Sequence, residues 1–171
     1  MPGLTIEQAF KMYQEFCQEA IPICEEKKIK IAINPSRHYN PLLAIDLYKK
    51  IDSPYFTIAP DLEAWRLKTD DFPLIHAERP GQPEAEPLPI SLFEECLPFS
   101  PVIHFKTMGF DEKGDDFHFP IKEIMTAIKQ SNIDHYLVVE YEGWIPELNP
   151  HLNPVKQTKM AVDMIYRHYK G

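Results

Sequence analysis

VIHFKTMGFDEKGDDFHFPIKEIMTAIKQSNIDHYLVVEYEGW, residues 102 to 144, is the stretch whose reading decides the fold. It opens on Val102-Ile103-His104-Phe105-Lys106, a β-branched and aromatic run entered from Pro101, which predicts a strand. The polar stretch Asp111 to Asp116 reads as a loop. Beyond Pro120 the apolar residues fall at Ile121, Ile124, Met125 and Ile128, the spacing of one helical face. Tyr136-Leu137-Val138-Val139-Glu140 then reads as another strand. A helix set between two short, near-continuously apolar strands implies parallel strands with the helix covering them.

Outward from this unit the same alternation repeats. Thr5 and Gln8 form a capping box that opens a helix at Ile6, with its apolar face at Ala9, Phe10, Tyr13, Cys17, Ala20, Ile21 and Cys24. Ile29 to Ile33 is a β-branched run ending at Asn34-Pro35, and Tyr55 to Ala59 is a second strand stopped by Pro60-Asp61. Asn40-Pro41 opens a helix over Leu42 to Ile51, and Leu62 to Leu67 is a short amphipathic segment. Thr69 to Pro89 is irregular and proline-rich, a loop of the length that commonly lies over a site. Pro89 to Leu97 is again helical. Asn153-Pro154 starts the last helix, whose apolar side is expected at Val155, Val162, Ile165 and Tyr169. The order is a helix followed by four consecutive strand–helix units: an α/β chain of parallel strands, read as a single domain over residues 1–171. A doubly wound sheet and part of a barrel both satisfy that order. No glycine-rich loop or GxGxxG follows any strand, so dinucleotide binding has no support.

The bulk numbers agree. A chain of 171 residues with 44% hydrophobic and 26% charged residues has one-domain length and an ordinary globular composition. No apolar run approaches the roughly 20 residues needed to span a bilayer, and the N-terminus lacks a signal-peptide layout, so the expectation is a cytoplasmic protein without a membrane partner. The net charge of −8 disfavours nucleic acid, whose affinity comes mainly from Lys and Arg on phosphates. Three cysteines make no disulfide framework; Cys17 and Cys24, a heptad apart, read as small buried thiols.

In parallel α/β folds, functional side chains gather at the C-terminal ends of the strands. Those ends carry Asn34, Asp61, His104 and Glu140. Two carboxylates and an imidazole, one per strand, form a normal ligand set for Mn²⁺, Zn²⁺ or a similar ion. Lys106 lies two residues beyond His104 and so shares its side of the strand, where it suits a substrate oxyanion. Glu142 stands in the same relation to Glu140. Each residue also has a plainer role: Asp61 as a helix cap, His104 as a hydrogen-bonded core residue, Glu140 as a solvated strand end. Trp65, Trp144 and Tyr141 are candidates to line a sugar-sized cleft or to pack in the core. His38, in the loop after the first strand, is a candidate substrate contact.

These segments, with IAINPSRH, YFTIAPDLEAW and NPVKQTKMAVDMIYRHY, resemble the C-terminal half of the xylose-isomerase-like barrels, the sugar phosphate isomerase/epimerase superfamily. The resemblance implies half of a (β/α)8 barrel, strands five to eight. It implies one divalent metal, Mn²⁺ before Mg²⁺, Co²⁺ or Zn²⁺, held by Asp61, His104, Glu140 and the residue at position 34. It also implies Glu140 as a catalytic acid/base acting on a small sugar. Asn34 departs from the family's glutamate, because an amide carries no charge and accepts no proton near neutral pH. Ala64 stands where the family often has a histidine. Four strands cannot close an eight-stranded barrel, and an open half leaves two unpaired edges. Two functions follow as expectations. One is a truncated or split metal-dependent sugar isomerase or epimerase needing self-association or a complementary N-terminal half-barrel subunit. The other is a non-catalytic relative acting as a binding or partner subunit. A DNA-repair endonuclease of related barrel type conflicts with the acidic charge.

Overall fold

The computed structural model describes residues 5–35, 41–67, 86–143 and 150–171. Helix α1 (Ile6–Lys27) starts as its sequence dictates, with both halves of the Thr5/Gln8 capping box formed. It ends at Lys28 in the left-handed region (φ 56), whose N–H donates to the Cys24 and Glu25 carbonyls. Strand β1 (Ile31–Ile33) leads to α2 (Pro41–Ile51), then β2 (Phe56–Ile58) and a short 3-10 turn, Leu62–Trp65. After α3 (Ile90–Cys96) and a second 3-10 turn, Leu97–Phe99, come β3 (Val102–Thr107), α4 (Ile121–Gln130), β4 (Tyr136–Tyr141) and α5 (Pro154–Lys170). Asn153 caps α5 by accepting from the Lys156 N–H at 3.2 Å, with Pro154 in the first turn. Asn40, His38, Trp144 and most of the proline-rich stretch after Thr69 lie outside the described residues.

The strands are short, parallel and arranged in two small sheets. β1 pairs with β2 from Ile31↔Phe56 to Ile33↔Ile58, and β3 pairs with β4 from Val102↔Tyr136 to Thr107↔Tyr141. Among the described residues the four strands read from the sequence form two pairs and not one continuous sheet. A single parallel rung, Asp61↔His104, links the two pairs, where the His104 N–H donates to the Pro60 carbonyl at 2.9 Å. The cause lies in β2. Pro60 has no N–H for a ladder, and the chain turns into the Leu62–Trp65 3-10 turn immediately after Asp61. That turn replaces the amphipathic helix segment read over Leu62 to Leu67.

Burial follows the apolar periodicity in the centre of the chain. Trp65, Phe93, Phe105, Ile124, Met125 and Met164 anchor the main core, and α4 buries the face read from its sequence. Burying each such large apolar side chain contributes roughly 1.5–3 kcal/mol. Cys17 packs with Leu47 and Phe56 under α1, and Cys17, Cys24 and Cys96 are all free and buried. Burial pushes the Cys96 thiol up to about 12. Helix α5 departs from expectation only in part: it docks through Ala161 and Met164, with Ile165 partly buried against the main core and Val162 half-buried, while Val155 and Tyr169 are 77% and 60% exposed. Only the two ends of the expected stripe therefore face outward. On β4, Tyr136 and Val138 are likewise exposed, so that strand is covered on one face only among the described residues.

Past β4, the Glu142 N–H donates to the Thr107 carbonyl at 2.8 Å. Gly143 then lies so close to β3 that an added Cβ would stand 1.5 Å from the Met108 carbonyl oxygen. That obstacle is backbone, not a side-chain tip, so it cannot swing away. Gly143→Ala is expected to cost about 3 kcal/mol, read as a lower midpoint in urea unfolding. No helix among the described residues is long and apolar enough to cross a membrane.

Candidate functional site at the strand ends

Asp61, three residues past β2, does two jobs with its two oxygens. Oδ1 accepts the Glu63 N–H at 2.8 Å, capping the 3-10 turn, and Oδ2 stands 3.0 Å from His104 Nδ1. One oxygen of Asp61 thus caps the turn, as the plainer reading expected, and the other faces His104. His104 lies opposite Val138 in the β3–β4 register and projects to the side shared with Lys106 and Glu140. Its second ring nitrogen, Nε2, is 2.6 Å from Glu140 Oε2. The imidazole thus spans two carboxylates, and only the imidazolium donates from both nitrogens at once.

Lys106 fills the floor of the cluster. It is 6% exposed, and its Nζ lies 2.8 Å from Glu142 Oε2, 3.4 Å from Asp61 Oδ2, 3.5 Å from Glu63 Oε2 and 3.9 Å from Glu140 Oε2. The alternation of a strand accounts for this. Residues 104 and 106, like 140 and 142, face the same way, and Asp61 arrives from β2 through the single rung. Asp61 and Glu63 are buried, whereas the Glu140 and Glu142 side chains are nearly half exposed and form the open mouth of the site.

Electrostatics follows from this packing. Burial alone would raise the Asp61 carboxyl, but the His104 hydrogen bond, the Glu63 N–H and the Lys106 charge outweigh it and hold it below the usual carboxylate range. The Asp61 hydrogen bond is the largest influence on His104. With the Asp61 and Glu140 charges it outweighs burial and Lys106, so the imidazole titrates above its ordinary 6.5. Burial would lower Lys106, yet the Glu142 hydrogen bond and the Asp61, Glu63 and Glu142 charges raise it above the usual lysine range. A raised histidine contributes stability that is complete below its unfolded value of 6.5 and is lost as pH rises through the folded value. An imidazole NMR titration is therefore expected to give a His104 midpoint above 6.5, and Glu140→Gln to lower it by removing one of the raising charges. A midpoint at or below 6.5 in the unmodified chain would show that the clamp is not formed in solution.

The other sequence-read candidates fall elsewhere. Asn34, at the end of β1, donates its side-chain Nδ2 to the Ala59 carbonyl at 3.0 Å, so its amide is engaged with the β2 backbone. Trp65 is 1% exposed, stacks edge-on against Phe93 and donates Nε1 to the Pro89 carbonyl, which places it in the core with little surface for a ligand. Tyr141 is half-buried beside Phe110, and its hydroxyl is pushed by burial up to about 12. His38 lies outside the described residues.

The donor set can be tested against the divalent ion that the resemblance implies. Asp61 and His104 Nδ1 stand together, but Glu140 sits on the opposite ring nitrogen and the Lys106 ammonium already lies among the carboxylates. Among the described residues, no three His, Cys, Asp or Glu side chains are grouped so as to hold a metal ion. As placed, the residues do not fit the metal.

A second buried pair had no clear signal in the sequence. Asp116 accepts from the Met108 and Gly109 N–H groups at 2.6 and 3.2 Å, and its Oδ1 is 3.0 Å from His118 Nδ1. It pins the loop that follows β3, and so holds the strand end carrying Lys106. The Asp-x-His spacing inside a polar loop was the available clue, since aspartate commonly bonds the backbone locally.

No protein-family model matches the chain. A curated relative, the C-glycoside deglycosidase alpha subunit of Arthrobacter globiformis, is 28% identical over 58 residues. That stretch covers 34% of this chain and 16% of the relative's length, so the similarity is local, and what it shares is a segment of a carbohydrate-acting enzyme subunit.

Proposed function

We propose that the chain is a half-barrel of xylose-isomerase-like type, a subunit of a carbohydrate-active enzyme, in which His104 moves a proton at a carbon of an uncharged sugar or glycoside. The observation that carries this reading is the imidazole clamped between buried Asp61 and open Glu140. Asp61 fixes the ring orientation and favours its protonated form. Glu140, at the mouth, is the group through which the proton leaves or enters. A neighbouring base with a raised affinity for protons suits exchange near neutral pH.

Charge defines the substrate class. Asp61, Glu63, Glu140 and Glu142 face one ammonium and one imidazole, which leaves the cluster net negative even with His104 protonated. Such a site repels a phosphate and accepts hydroxyl groups, each of which donates to a carboxylate. The relative's name, a deglycosidase of C-glycosides, supports a sugar substrate without a phosphate. Isomerisation or epimerisation through an enediol moves a proton at the carbon beside the sugar carbonyl, and the clamp supplies a carboxylate to take that proton and an imidazolium to return it.

The test is exchange. The purified chain is incubated in D₂O with neutral aldoses and ketoses, with a C-glycoside and with sugar phosphates, and ¹H NMR follows loss of carbon-bound protons. Exchange is expected in a neutral sugar and not in a phosphate. Exchange confined to phosphates overturns the assignment of substrate class. A second reading, a binding subunit without turnover, is favoured by Asn34, which stands in place of a carboxylate and gives its amide to the Ala59 carbonyl. Binding of a neutral sugar without any exchange is the outcome that selects it.

A further inference from the structure

We infer that two copies of this chain close on one another edge to edge, with the acidic, partly apolar face of α1 seated in the groove beside the basic α5 of the second copy. The inference rests on the half-barrel arrangement in the preceding reading and not on its chemistry.

Each of the two strand pairs leaves an outer edge without a ladder partner among the described residues. Among the described residues β1 has β2 as its only ladder partner and β4 has only β3, and all pairings are parallel. Helix α1 packs on α2 and, through Cys17 in a cluster with Leu47 and Phe56, beside Ile31 and Ile33 of β1, whereas α5 packs on β4 at the opposite end. Each open edge therefore carries a helix on the same outer layer. Joining the β4 edge of one copy to the β1 edge of the other brings α5 beside α1. A two-fold axis makes that contact twice and leaves no edge.

The two helix faces match in spacing and in sign. On α1, Met12, Phe16, Glu19 and Ile23 follow a four-three-four spacing, and Met12, Phe16 and Ile23 are 42%, 63% and 58% exposed. On α5, Val155, Lys159, Val162, Tyr166 and Tyr169 follow four-three-four-three, with Val155, Tyr166 and Tyr169 at 77%, 59% and 60% exposure. These are the seams of two helices packed side by side, and the direction of each helix relative to its strand makes them parallel. Each seam carries one charge, Glu19 on α1 and Lys159 on α5, both exposed. The surrounding helices repeat the contrast. Residues 6–27 hold five Glu against two Lys, and residues 154–170 hold three Lys and one Arg against one Asp.

The receiving surface is already shaped. A groove of about 740 Å³ lies between β4, α5 and the segment from the end of α4 to His135, with Leu137, Val139, Val162, Ile165, Tyr166 and Tyr169 on its apolar side. Tyr166 and Tyr169 on its rim are the exposed part of the α5 apolar side, with Ile165 at its base packed on the core. Closure also covers the inner face of β4, where Tyr136 and Val138 are 74% and 52% exposed. A surface of that kind on a chain of net charge −8 is matched by the chain's own acidic helix only because the charge is segregated between α1 and α5.

The test uses the full chain in analytical ultracentrifugation at micromolar concentration, with circular dichroism as the control for folding. The unmodified chain is expected as a dimer that weakens with added salt. Glu19→Lys and Lys159→Glu are each expected to raise the dimer dissociation constant about tenfold or more, and the two together to restore it. Phe16→Asp, on an exposed position that leaves the helix itself intact, is expected to give monomers. A monomeric unmodified chain overturns the inference. So do single charge reversals that leave the dimer unchanged, or a double reversal that does not recover it. His104→Asn stays dimeric on this account, so loss of sugar exchange with the dimer intact bears on the chemistry alone, and loss of the dimer in the seam variants bears on the interface alone.

Discussion

Lys106→Met is expected to destabilise the protein by about 3 kcal/mol at neutral pH, because it removes the buried cation of a multi-carboxylate cluster. Methionine keeps the length and apolar stem of the side chain, so the change isolates the charge. Asp61 and Glu63 are buried and would be left facing each other with no ammonium between them. Glu140 and Glu142 are nearly half exposed, and water relieves part of their repulsion, which keeps the effect at the low end for a broken buried pair. Urea unfolding followed by circular dichroism measures it. The difference is expected to shrink as pH falls. In the unmodified protein Asp61 has a lowered pKa, so its contribution is present above the unfolded value of 3.8 and is lost as pH falls through the folded value. In the variant the lost cation matters less once the carboxyls are protonated. A loss of well under 1 kcal/mol at neutral pH would mean that the cluster is solvated and Lys106 is no more than a surface charge.

His104→Asn is expected to lower sugar proton exchange by a factor of about 10² to 10⁴ while leaving the fold in place. The asparagine amide retains hydrogen-bonding capacity beside Asp61, but it holds no proton that can be given up and recovered near neutral pH. The side chain is about a quarter exposed at the mouth of the site, so the change opens no core cavity. Comparing the two variants separates structure from chemistry. Lys106→Met lowers stability first and activity through it, whereas His104→Asn gives up the smaller stabilisation of the clamp and lowers exchange directly. Equal exchange in His104→Asn and the unmodified chain would remove the imidazole from the reaction. Proton transfer would then have to be assigned to Glu140 or Glu142 alone.

The sequence by itself determined the elements and the residue types at the strand ends. Periodicity placed α1, α4 and β3 within a residue or two, because their apolar faces or β-branched runs dock where local pattern says they should. The two-residue repeat of a strand made it certain that His104 and Lys106, and Glu140 and Glu142, would share a side. Only the tertiary structure decided what those side chains do to one another. Whether Asp61 caps a turn or faces the site depends on where its two oxygens point, and one rung to β3 lets it do both. Whether the carboxylates gather around an added ion or around Lys106 depends on distances of a few ångströms, which spacing along the chain does not encode. The same holds for Trp65, read as a cleft or core residue and found packed on Phe93, and for α5, which buries Ala161 and Met164 and part of Ile165 while Val155 and Tyr169 stay exposed. Local pattern fixes which faces are apolar, and packing against particular neighbours fixes which of them is buried.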